Sequence, residues 1–371
     1  MTELLKDMMN ERADALGAPD LDVLGMVREG NRRVARRRTA VLGAGAAAAV
    51  VAAIAVPTLL PEAEQRAQEP SFASVFTAGE PSYAVGSQVY VDGRTFDVGR
   101  PVHAYVQTTV GVVFSDRSGT VWASDGTETV EIGTTDAKRA HLEADDSRAA
   151  WTEYVDGTAP QYTVYDQASG EVERSVFQTG NDGPTEYDDA LLAVDGDDVY
   201  VRDSRGIVRW NVETGDQTSL GRPLGAQVED VKSGVIAYAI PNTDDAVGGT
   251  VIHFGRAFDT AVASGLRDTE VLALSPDGST AVGEPTPDTP ALADTATGEV
   301  TAIENPGYEY FTGFGWVDDD TYVGIGLGNP WVSTPADLLE CEVGGACSVT
   351  GSAIGTLDAG LVVPLGVPMQ D

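Results

Sequence analysis

The sequence predicts an all-β domain that is built from a repeated unit and preceded by one apolar helix. The chain of 371 residues contains 42 Gly together with abundant Asp, Thr and Val, a composition that favours turns and strands. Short alternating apolar segments, separated by turn clusters, recur from about residue 82 to the C-terminus, and no long helical pattern interrupts them. A separate uncharged stretch at residues 39–60 has the length of a membrane-spanning helix.

This uncharged stretch is predicted to cross a membrane once. Residues 39–60 provide the roughly 20 residues that span a hydrocarbon core. The residues that precede the stretch include a cluster of arginines: Arg28, Arg32, Arg33, Arg36, Arg37 and Arg38. Because basic residues favour the cytoplasmic side, we expect a cytoplasmic tail at 1–38, a linker at 61–80 and an extracytoplasmic domain at 81–371.

A cleaved export signal is the alternative to a membrane anchor. Arg37-Arg38-Thr39 resembles a twin-arginine signal, and Ala53-Ile54-Ala55 would serve as a small-residue cleavage site. Both alternatives place the large domain outside the cytoplasm. The short tail, the arginine cluster and the Ala-rich span resemble those of many actinobacterial membrane proteins, and the tail has no Cys or His to bind zinc.

The net charge of −35 belongs almost entirely to the large domain. Residues 1–38 contain 8 of the 23 basic and 7 of the 58 acidic residues, which leaves 15 basic and 51 acidic residues for the rest. A surface of this sign repels nucleic acid, so nucleic acid is excluded as a partner. The acidity either keeps the domain soluble or attracts a cation or a basic partner.

The large domain contains a repeat of about 44 residues. The segment around Asp116 and Gly119 parallels the segment around Asp203 and Gly206, at an offset of 87 residues, which is twice the repeat. A turn of the form Asp-x-x-Ser/Thr-Gly recurs, with related glycines, at Gly126, Gly170, Gly215 and Gly298. One copy, near Asp259, has lost its glycine. A second, mostly acidic family of turns recurs in phase at 145–147, 195–198, 276–279 and 318–320.

Each unit of 40 to 45 residues therefore contributes about four short strands, which predicts the blades of a β-propeller. Six blades are expected at 99–135, 138–180, 185–221, 226–265, 268–306 and 309–355. Strands at 82–98 and 357–367 are left over at opposite ends of the domain. A seventh blade assembled from both would close the ring, so seven blades are expected and six are the alternative.

The turn Leu274-Ser275-Pro276-Asp277-Gly278-Ser279 resembles the S-P-D-G turn of TolB-like and WD-repeat-like propellers. The resemblance extends over about 270 residues, and the Gly-His and Trp-Asp pairs of true WD repeats are missing. What the resemblance implies is a scaffold that binds peptides, proteins, glycans or small molecules on one face or at the central channel.

The two cysteines, Cys341 and Cys347, lie in the sequence Cys-Glu-Val-Gly-Gly-Ala-Cys. In an oxidising compartment this spacing predicts a local disulfide that closes a hairpin and contributes about 2 kcal/mol. Two free thiols are the alternative.

We predict no catalytic, cofactor-binding or metal-binding residues. The three histidines, His103, His141 and His253, are scattered among different units and accompany no ligand pattern. The acidic runs at 195–198 and 318–320 lack the spacing of a calcium loop and are expected to be turns.

Two further patterns are expected to be structural. Residues 115–122 resemble the Asp-box of sialidase-type propellers, but the Asp and Gly are out of register, so we predict a plain hairpin turn. Most of the tryptophans are expected to pack between blades, although they could also line a ligand face: Trp122, Trp151, Trp210, Trp316 and Trp331.

The function predicted from these observations is a membrane-tethered, extracytoplasmic binding or interaction module without catalytic chemistry. Its ligand would be a protein, a peptide or a glycan. Two alternatives are a propeller enzyme acting on glycans, with acidic and Arg side chains converging at the axis, and a sensor that signals through the tail to a cytoplasmic regulator.

Overall fold

The computed structural model describes residues 72–155, 159–176, 190–203, 205–221, 226–241, 249–269, 271–284, 290–304, 306–329 and 333–369. The predicted tail, the transmembrane helix and most of the linker lie outside these residues. Within them the only α-helix is α1 (Phe72–Thr77), and no helix in this part of the chain is long and apolar enough to cross a membrane. The remainder folds into seven antiparallel sheets of four strands each.

Blade 1 combines both ends of the domain. It contains β1 (Ser82–Val85), β2 (Gln88–Val91), β3 (Arg94–Asp97) and, as its first strand, β28 (Leu361–Val362). Ala84 lies opposite Val362, and Val85 lies opposite Leu361. This pairing confirms the prediction of a seventh blade, and the six-bladed alternative is wrong.

Each of the other six blades is a meander of consecutive strands. Blade 2 consists of β4 (Ala104–Gln107), β5 (Val112–Ser115), β6 (Thr120–Ser124) and β7 (Thr129–Thr134). Blade 3 consists of β8 (Leu142–Asp145), β9 (Arg148–Val155), β10 (Ala159–Asp166) and β11 (Glu171–Val176). Blade 4 consists of β12 (Ala190–Asp195), β13 (Asp198–Asp203), β14 (Gly206–Asn211) and β15 (Gln217–Gly221).

Blade 5 consists of β16 (Gln227–Lys232), β17 (Val235–Pro241), β18 (Thr250–Gly255) and β19 (Val262–Arg267). Blade 6 consists of β20 (Leu272–Leu274), β21 (Thr280–Gly283), β22 (Ala291–Asp294) and β23 (Val300–Ala302). Blade 7 consists of β24 (Tyr310–Asp318), β25 (Thr321–Leu327), β26 (Ala336–Glu342) and β27 (Cys347–Gly355). Two 3₁₀ turns are also present, at Phe258–Thr260 and at Leu357–Ala359.

The first strands of blades 2 to 7 lie side by side as the inner strands, because each of β4, β8, β12, β16 and β20 contacts the first strand of the next blade. Seven clusters of buried side chains lie between the blades, one at each junction between neighbouring blades. Trp151 is fully buried between blades 2 and 3, and Trp122 and Trp210 are buried at the junctions on either side. These three tryptophans confirm the prediction that tryptophan packs between blades. Trp316 is half-buried, and Trp331 lies outside the described residues.

Because consecutive strands of a blade are antiparallel, the connections between them lie alternately on two faces of the propeller. Turns between first and second strands and between third and fourth strands lie at the same end of every blade, which we call the turn face. Connections between second and third strands, and between successive blades, lie at the other end, the loop face. Both predicted turn families belong to the turn face: the acidic family joins first to second strands, and the Asp-x-x-Ser/Thr-Gly family joins third to fourth strands.

The Asp-x-x-Ser/Thr-Gly turns have a common geometry. In blade 3, Asp166 Oδ1 accepts a hydrogen bond from the amide of Ala168 at 2.9 Å, and Gly170 closes the turn at a φ of 76°. Asp294 and Gly298 repeat this arrangement in blade 6. A positive φ costs glycine little, which explains why glycine marks the repeat. In blade 5 the 3₁₀ turn around Asp259 takes its place, where the repeat had lost its glycine.

Candidate functional site

The N-terminal part of the domain reaches the propeller at the turn face. Helix α1 packs against blades 1 and 2, with the ring centres of Phe72 and Phe96 4.9 Å apart and those of Phe76 and Phe96 6.0 Å apart. At the end of the helix, Thr77 Oγ1 donates to the carbonyl of Thr109 in the β4–β5 turn at 3.3 Å. The helix therefore covers part of the turn face beside blade 2.

The C-terminal segment after β28 lies against the inner strands of neighbouring blades, and we call residues 363–369 the C-terminal plug. A tight turn follows the strand, because the amide of Leu365 donates to the carbonyl of Val363 at 2.7 Å. The next residue joins two inner strands: the amide of Gly366 donates to Tyr105 O, and its carbonyl accepts from the amide of Leu142, both at 2.9 Å. The plug thus connects blades 1, 2 and 3 at their inner edges.

Packing makes the plug part of the core. Val363 is fully buried at the junction of blades 7 and 1, and Met369 packs against two of the interblade clusters. Met369 Sδ also accepts a hydrogen bond from the amide of Val363 at 3.3 Å. Gly366 has a φ of 71°, and a Cβ placed there would lie 1.8 Å from the carbonyl oxygen of Leu142. Only glycine fits this position.

Charged side chains gather at the inner strands of blades 3 and 5. This axial cluster consists of His141, Glu143 and Asp145 from blade 3, and Asp230 and Lys232 from blade 5. Lys232 Nζ donates to Asp145 Oδ1 at 2.7 Å, although blade 4 lies between their two blades. The ammonium also lies 3.4 Å from the carbonyl oxygen of Ala144 and 3.3 Å from that of Val194, which belongs to blade 4.

Two further contacts complete the axial cluster. His141 Nε2 lies 2.7 Å from Glu143 Oε1. Asp230 Oδ2 accepts from the amide of Leu274 at 2.7 Å, so blade 6 is joined to blade 5 through a carboxylate. The side chain of Lys232 is 19% exposed and that of His141 is 37% exposed, so the cluster is partly shielded from solvent.

This shielding shifts several pKa values. Burial raises the pKa of Asp230 to about 6, although Lys232 and the amide of Leu274 oppose the shift. Burial alone would lower the pKa of Lys232, but Asp145, Asp230 and Glu143 raise it above its ordinary value.

Two neighbouring groups shift in the same direction. Burial alone would also lower the pKa of His141, but the hydrogen bond and the charge of Glu143 raise it. Glu229, which precedes the cluster on β16 and lies in a β-bulge, has its pKa raised by burial to about 7 against the opposing charge of Arg202. These groups all bind a proton more tightly than an exposed side chain of the same type.

The acidic turns bond to one another from blade to blade. The carboxylate of Asp195 in blade 4 accepts from the amides of Ser233, at 2.9 Å, and Gly234, at 2.6 Å, in blade 5. Asp319 of blade 7 accepts from the amide of Asp277 in blade 6 at 2.9 Å. The runs at 195–198 and 318–320 therefore act as turns and as links between blades. In the described ranges no group of three or more His, Cys, Asp or Glu side chains is arranged to hold a metal ion.

The segment that resembles an Asp-box is a hairpin turn between β5 and β6, as predicted. Asp116 accepts from the amide of Ser118 at 2.8 Å and from Trp122 Nε1 at 3.0 Å. Burial alone would raise the pKa of Asp116, but these hydrogen bonds hold it below its usual range. The guanidinium carbon of Arg100 lies 3.8 Å from the centre of the Trp122 ring.

The same turn recurs in blade 4. The amide of Arg205 donates to Asp203 Oδ1 at 2.7 Å, and the guanidinium of Arg205 also pairs with this buried carboxylate. Asp203 is the residue that the repeat aligns with Asp116. Asp116 and Asp203 are two repeats apart and accept the same turn hydrogen bond, which confirms the repeat of about 44 residues.

Cys341 and Cys347 form a disulfide. They lie directly opposite each other on β26 and β27, with their Cα atoms 4.0 Å apart. No free cysteine exists in the chain, which has only these two.

The histidines are distributed as the sequence suggested, over three different blades. His103 precedes β4, and its amide donates to the carbonyl of Ser115 at 2.9 Å. His253 lies on β18, stacked on Tyr238 with the ring centres 5.4 Å apart. Only His141 joins the axial cluster. The membrane-flanking arginines of the sequence lie outside the described residues.

Sequence reasoning missed both the axial cluster and the plug. Lys232 is one of three lysines in the chain, and this rarity was a signal that could have drawn attention to it. Nothing in the sequence indicated its partner, Asp145, in another blade. The plug carries no motif, and its single glycine is one of 42.

The fold and this axis define the class of the protein, a seven-bladed β-propeller of four-stranded blades. Among solved structures, the acylaminoacyl peptidase of Pyrococcus horikoshii has a similar fold, at 12% identity and a TM-score of 0.50, with 73% of this chain and 48% of that chain covered. TolB from Acinetobacter baumannii is similar at 14% identity and a TM-score of 0.39, covering 60% of this chain and 65% of TolB.

A third similar structure, apo AztD from Citrobacter koseri, has 13% identity and a TM-score of 0.47, covering 76% of this chain and 98% of AztD. At these identities the likeness concerns the fold. No protein-family model matches the sequence. No curated protein matches it either.

Proposed function

We propose that the protein is a binding or interaction module, tethered to a membrane and exposed outside the cytoplasm, whose ligand is a protein, a peptide or a glycan. The observation that carries this proposal is that the chain's own groups bond to one another at the inner strands. The C-terminal plug bonds to the inner strands of blades 2 and 3, and the Lys232–Asp145 pair joins those of blades 5 and 3. The ligand would then bind on a face of the propeller.

The loop face is the better candidate for this surface. On the turn face the connections are short, bond to one another from blade to blade and are partly covered by α1. On the loop face β11 ends at Val176 and β12 begins only at Ala190, and β17 ends at Pro241 while β18 begins at Thr250. Longer connections on a rigid scaffold are the usual carriers of specificity.

The disulfide supports the proposed location. Disulfides persist in oxidising compartments outside the cytoplasm and are rare within it. The uncharged stretch at 39–60, with its arginine cluster, supplies the proposed tether.

Cysteine labelling tests the location, because both natural cysteines are joined in the disulfide. Arg117→Cys places a thiol on the exposed β5–β6 turn, and Thr2→Cys places one in the predicted tail. In intact cells a membrane-impermeant maleimide is expected to label the first variant and to label the second only after lysis. Labelling of Arg117→Cys only after lysis would overturn the proposed location.

Site-specific photocrosslinking tests the binding face. A photoreactive amino acid at Arg117 or Lys138, both exposed on the loop face, is expected to crosslink to the ligand in intact cells. The matched controls carry it at Ala168 or Thr214, both exposed on the turn face, and are expected to give no adduct. Adducts from the turn-face positions alone would contradict the proposal.

An enzyme remains the second candidate, and the axial cluster is the observation that favours it. The cluster brings carboxylates, an imidazole and an ammonium together from blades 3 and 5. If these groups act on a bound glycan, Glu143→Gln should abolish its turnover while leaving crosslinking at the loop face intact. Unchanged turnover in Glu143→Gln would exclude this role for the cluster.

A further inference from the structure

The outer strand of blade 7, β27, differs from the outer strands of the other blades. It has nine residues, and none of them is charged. Four of the other six outer strands carry charged side chains, and the remaining two, β15 and β23, have only five and three residues. Charge and short length are common protections of a sheet edge against pairing with another chain. Strand β27 has neither of them.

The register of the hairpin formed by β26 and β27 shows which backbone groups point outward. The amide of Glu342 donates to the carbonyl of Ala346 at 3.4 Å, so the next pair, Cys341 and Cys347, is a non-hydrogen-bonded pair. The Cα separation of 4.0 Å agrees with this assignment, because such pairs lie closer together, at about 4.5 Å, than hydrogen-bonded pairs, at about 5.5 Å.

This alternation continues along β27. Val349 lies opposite Leu339 in a second pair of the same kind, so the amide and carbonyl groups of Cys347 and Val349 point away from β26, whereas those of Ser348 face it. Among the described residues, β27 pairs with no strand other than β26. A bulge follows Val349 and ends the regular pairing, so we call residues 347–349 the open edge.

The open edge is exposed, apolar in part and fixed in position. Val349 is 51% exposed, and Val343 in the adjoining turn is 40% exposed. They are two of the four large apolar side chains that are exposed in the part of the chain that the structure describes. The disulfide fastens Cys347 to β26, so the edge is extended before a partner arrives. A preformed edge loses less conformational freedom on binding.

The surroundings of the open edge are acidic. Residues 268–371 contain 17 acidic residues and no Lys, Arg or His. Glu342 is exposed on β26, and Glu304 is exposed directly after Ile303, which packs against the same buried cluster as Cys347. An extended segment with Lys or Arg between apolar residues therefore matches the edge in charge. A second copy of this chain, with its net charge of −35, is repelled.

We propose that the open edge is a docking site for an extended basic segment of a partner protein, which adds to blade 7 as a fifth strand. The outward backbone groups of Cys347 and Val349 pair with the added strand, and the side chain of Val349 contacts its apolar residues. Sheet extension of this kind takes its affinity from main-chain hydrogen bonds and its selectivity from side chains. The site belongs to the outermost strand of blade 7, so it goes beyond the loop face proposed above and is independent of it.

Peptide binding tests the proposal on the full chain in detergent. The probe is a fluorescent peptide of alternating Lys and Val, and its anisotropy measures binding. One control peptide carries N-methyl groups on both Lys and Val nitrogens, so it keeps the charge while neither of its edges can donate. A second control has Glu in place of Lys. Both are expected to bind at least about tenfold more weakly than the probe. Equal binding of the N-methylated peptide would show attraction by charge alone and would overturn the proposal.

Amide hydrogen exchange locates the bound peptide. When the Lys/Val peptide saturates the protein, the amides of Cys347 and Val349 are expected to exchange at least about tenfold more slowly. The amide of Ser348 already faces β26 and should change little. Unchanged exchange at Cys347 and Val349 would place the peptide elsewhere and would contradict the proposal.

A proline substitution removes one outward donor. Val349→Pro leaves the hydrogen bonds to β26 in place, since proline is tolerated where a strand N–H faces solvent. It is expected to weaken binding of the Lys/Val peptide by about tenfold. The matched control is Ser219→Pro on β15. Ser219 also points outward, because it lies three residues after Asp216, whose carbonyl accepts from the amide of Asn211. Equal affinities of the two variants would contradict the proposal.

Two further outcomes are distinguished by the same materials. If Val349→Pro fails to fold, the control peptides and the exchange measurement still test the site on the native chain. Sedimentation without peptide tests the second copy as the occupant, and we expect a monomer. A concentration-dependent dimer that Val349→Pro abolishes would show that the edge binds another copy, and the proposed basic partner would be wrong.

Discussion

The ammonium of Lys232 lies 2.7 Å from Asp145 Oδ1, although 87 residues and the whole of blade 4 separate the two along the chain. Neighbouring blades meet through apolar side chains at every junction, whereas this contact skips a blade. It exists because seven blades close into a ring, which brings first strands two blades apart to the same axis. A pair of this kind stabilises the assembly of the ring more than any single blade.

Lys232→Met is predicted to destabilise the domain by about 2 to 3 kcal/mol, because it leaves Asp145 and Asp230 partly buried without their cation. Denaturant unfolding measures the loss. The matched control is Lys138→Met, an exposed lysine whose loss should change the free energy of unfolding by no more than about 0.5 kcal/mol. Asp145→Asn should recover part of the loss in the Lys232→Met background, and equal effects of the two lysine variants would contradict the prediction.

Gly366→Ala is predicted to displace the C-terminal plug. The added Cβ would lie 1.8 Å from the carbonyl oxygen of Leu142, so the backbone must move and both hydrogen bonds of Gly366 are lost. We expect a loss of more than about 2 kcal/mol in denaturant unfolding.

The control for this substitution is Gly170→Ala. Gly170 has a similar φ of 76° but no atom within 4 Å of the added Cβ, so it measures the cost of the backbone conformation alone, about 1 kcal/mol. A Gly366→Ala variant that is no less stable than Gly170→Ala would show that the contacts of the plug with Tyr105 and Leu142 do not stabilise the domain.

Reduction of the disulfide between Cys341 and Cys347 is predicted to lower the free energy of unfolding by about 2 kcal/mol, the value that loop-closure entropy assigns to so short a loop. The thermal midpoint with and without a reductant measures the change. The double variant Cys341→Ser/Cys347→Ser should unfold at the midpoint of the reduced protein and should not respond to the reductant. A midpoint that reductant leaves unchanged in the native chain would argue against the disulfide.

Asp116→Ala is predicted to cost about 1 to 2 kcal/mol, because the indole N–H of the buried Trp122 loses its acceptor. Trp122→Phe removes the donor, so Asp116→Ala should cost less in that background. The double-mutant cycle, measured by denaturant unfolding, should therefore give a coupling energy of about 1 kcal/mol. A coupling near zero would mean that this hydrogen bond does not stabilise the turn.

The sequence predicted the fold to considerable detail because the fold is a repeat. Each blade needs turns at fixed intervals, and the glycines at 126, 170 and 215 mark those intervals without reference to the rest of the chain. Prediction was least accurate where a blade departs from the pattern. Blade 5 was expected to end at residue 265, but β19 continues to Arg267. The turn between β18 and β19 is the 3₁₀ segment at Phe258–Thr260, which lacks the glycine of the repeat.

The candidate site was less accessible to prediction. The disulfide was found because its partners are six residues apart and on one hairpin. The His141–Glu143 pair is also local, yet a histidine and a glutamate two residues apart on a strand carry no specific signal. The plug was expected only as a leftover strand at 357–367, of which Leu361–Val362 is paired in blade 1.

By itself the sequence determined the strands, the turns and the length of the repeat, because alternation and turn chemistry act between residues close along the chain. The tertiary structure decided between seven blades and six, through the pairing of β28 with β1. The tertiary structure alone also decided which groups meet at the inner strands. Which side chains meet there depends on the rotation between blades and on the path of the chain after its last strand. Those contacts join residues as distant as Gly366 and Tyr105, and no local pattern specifies such pairs.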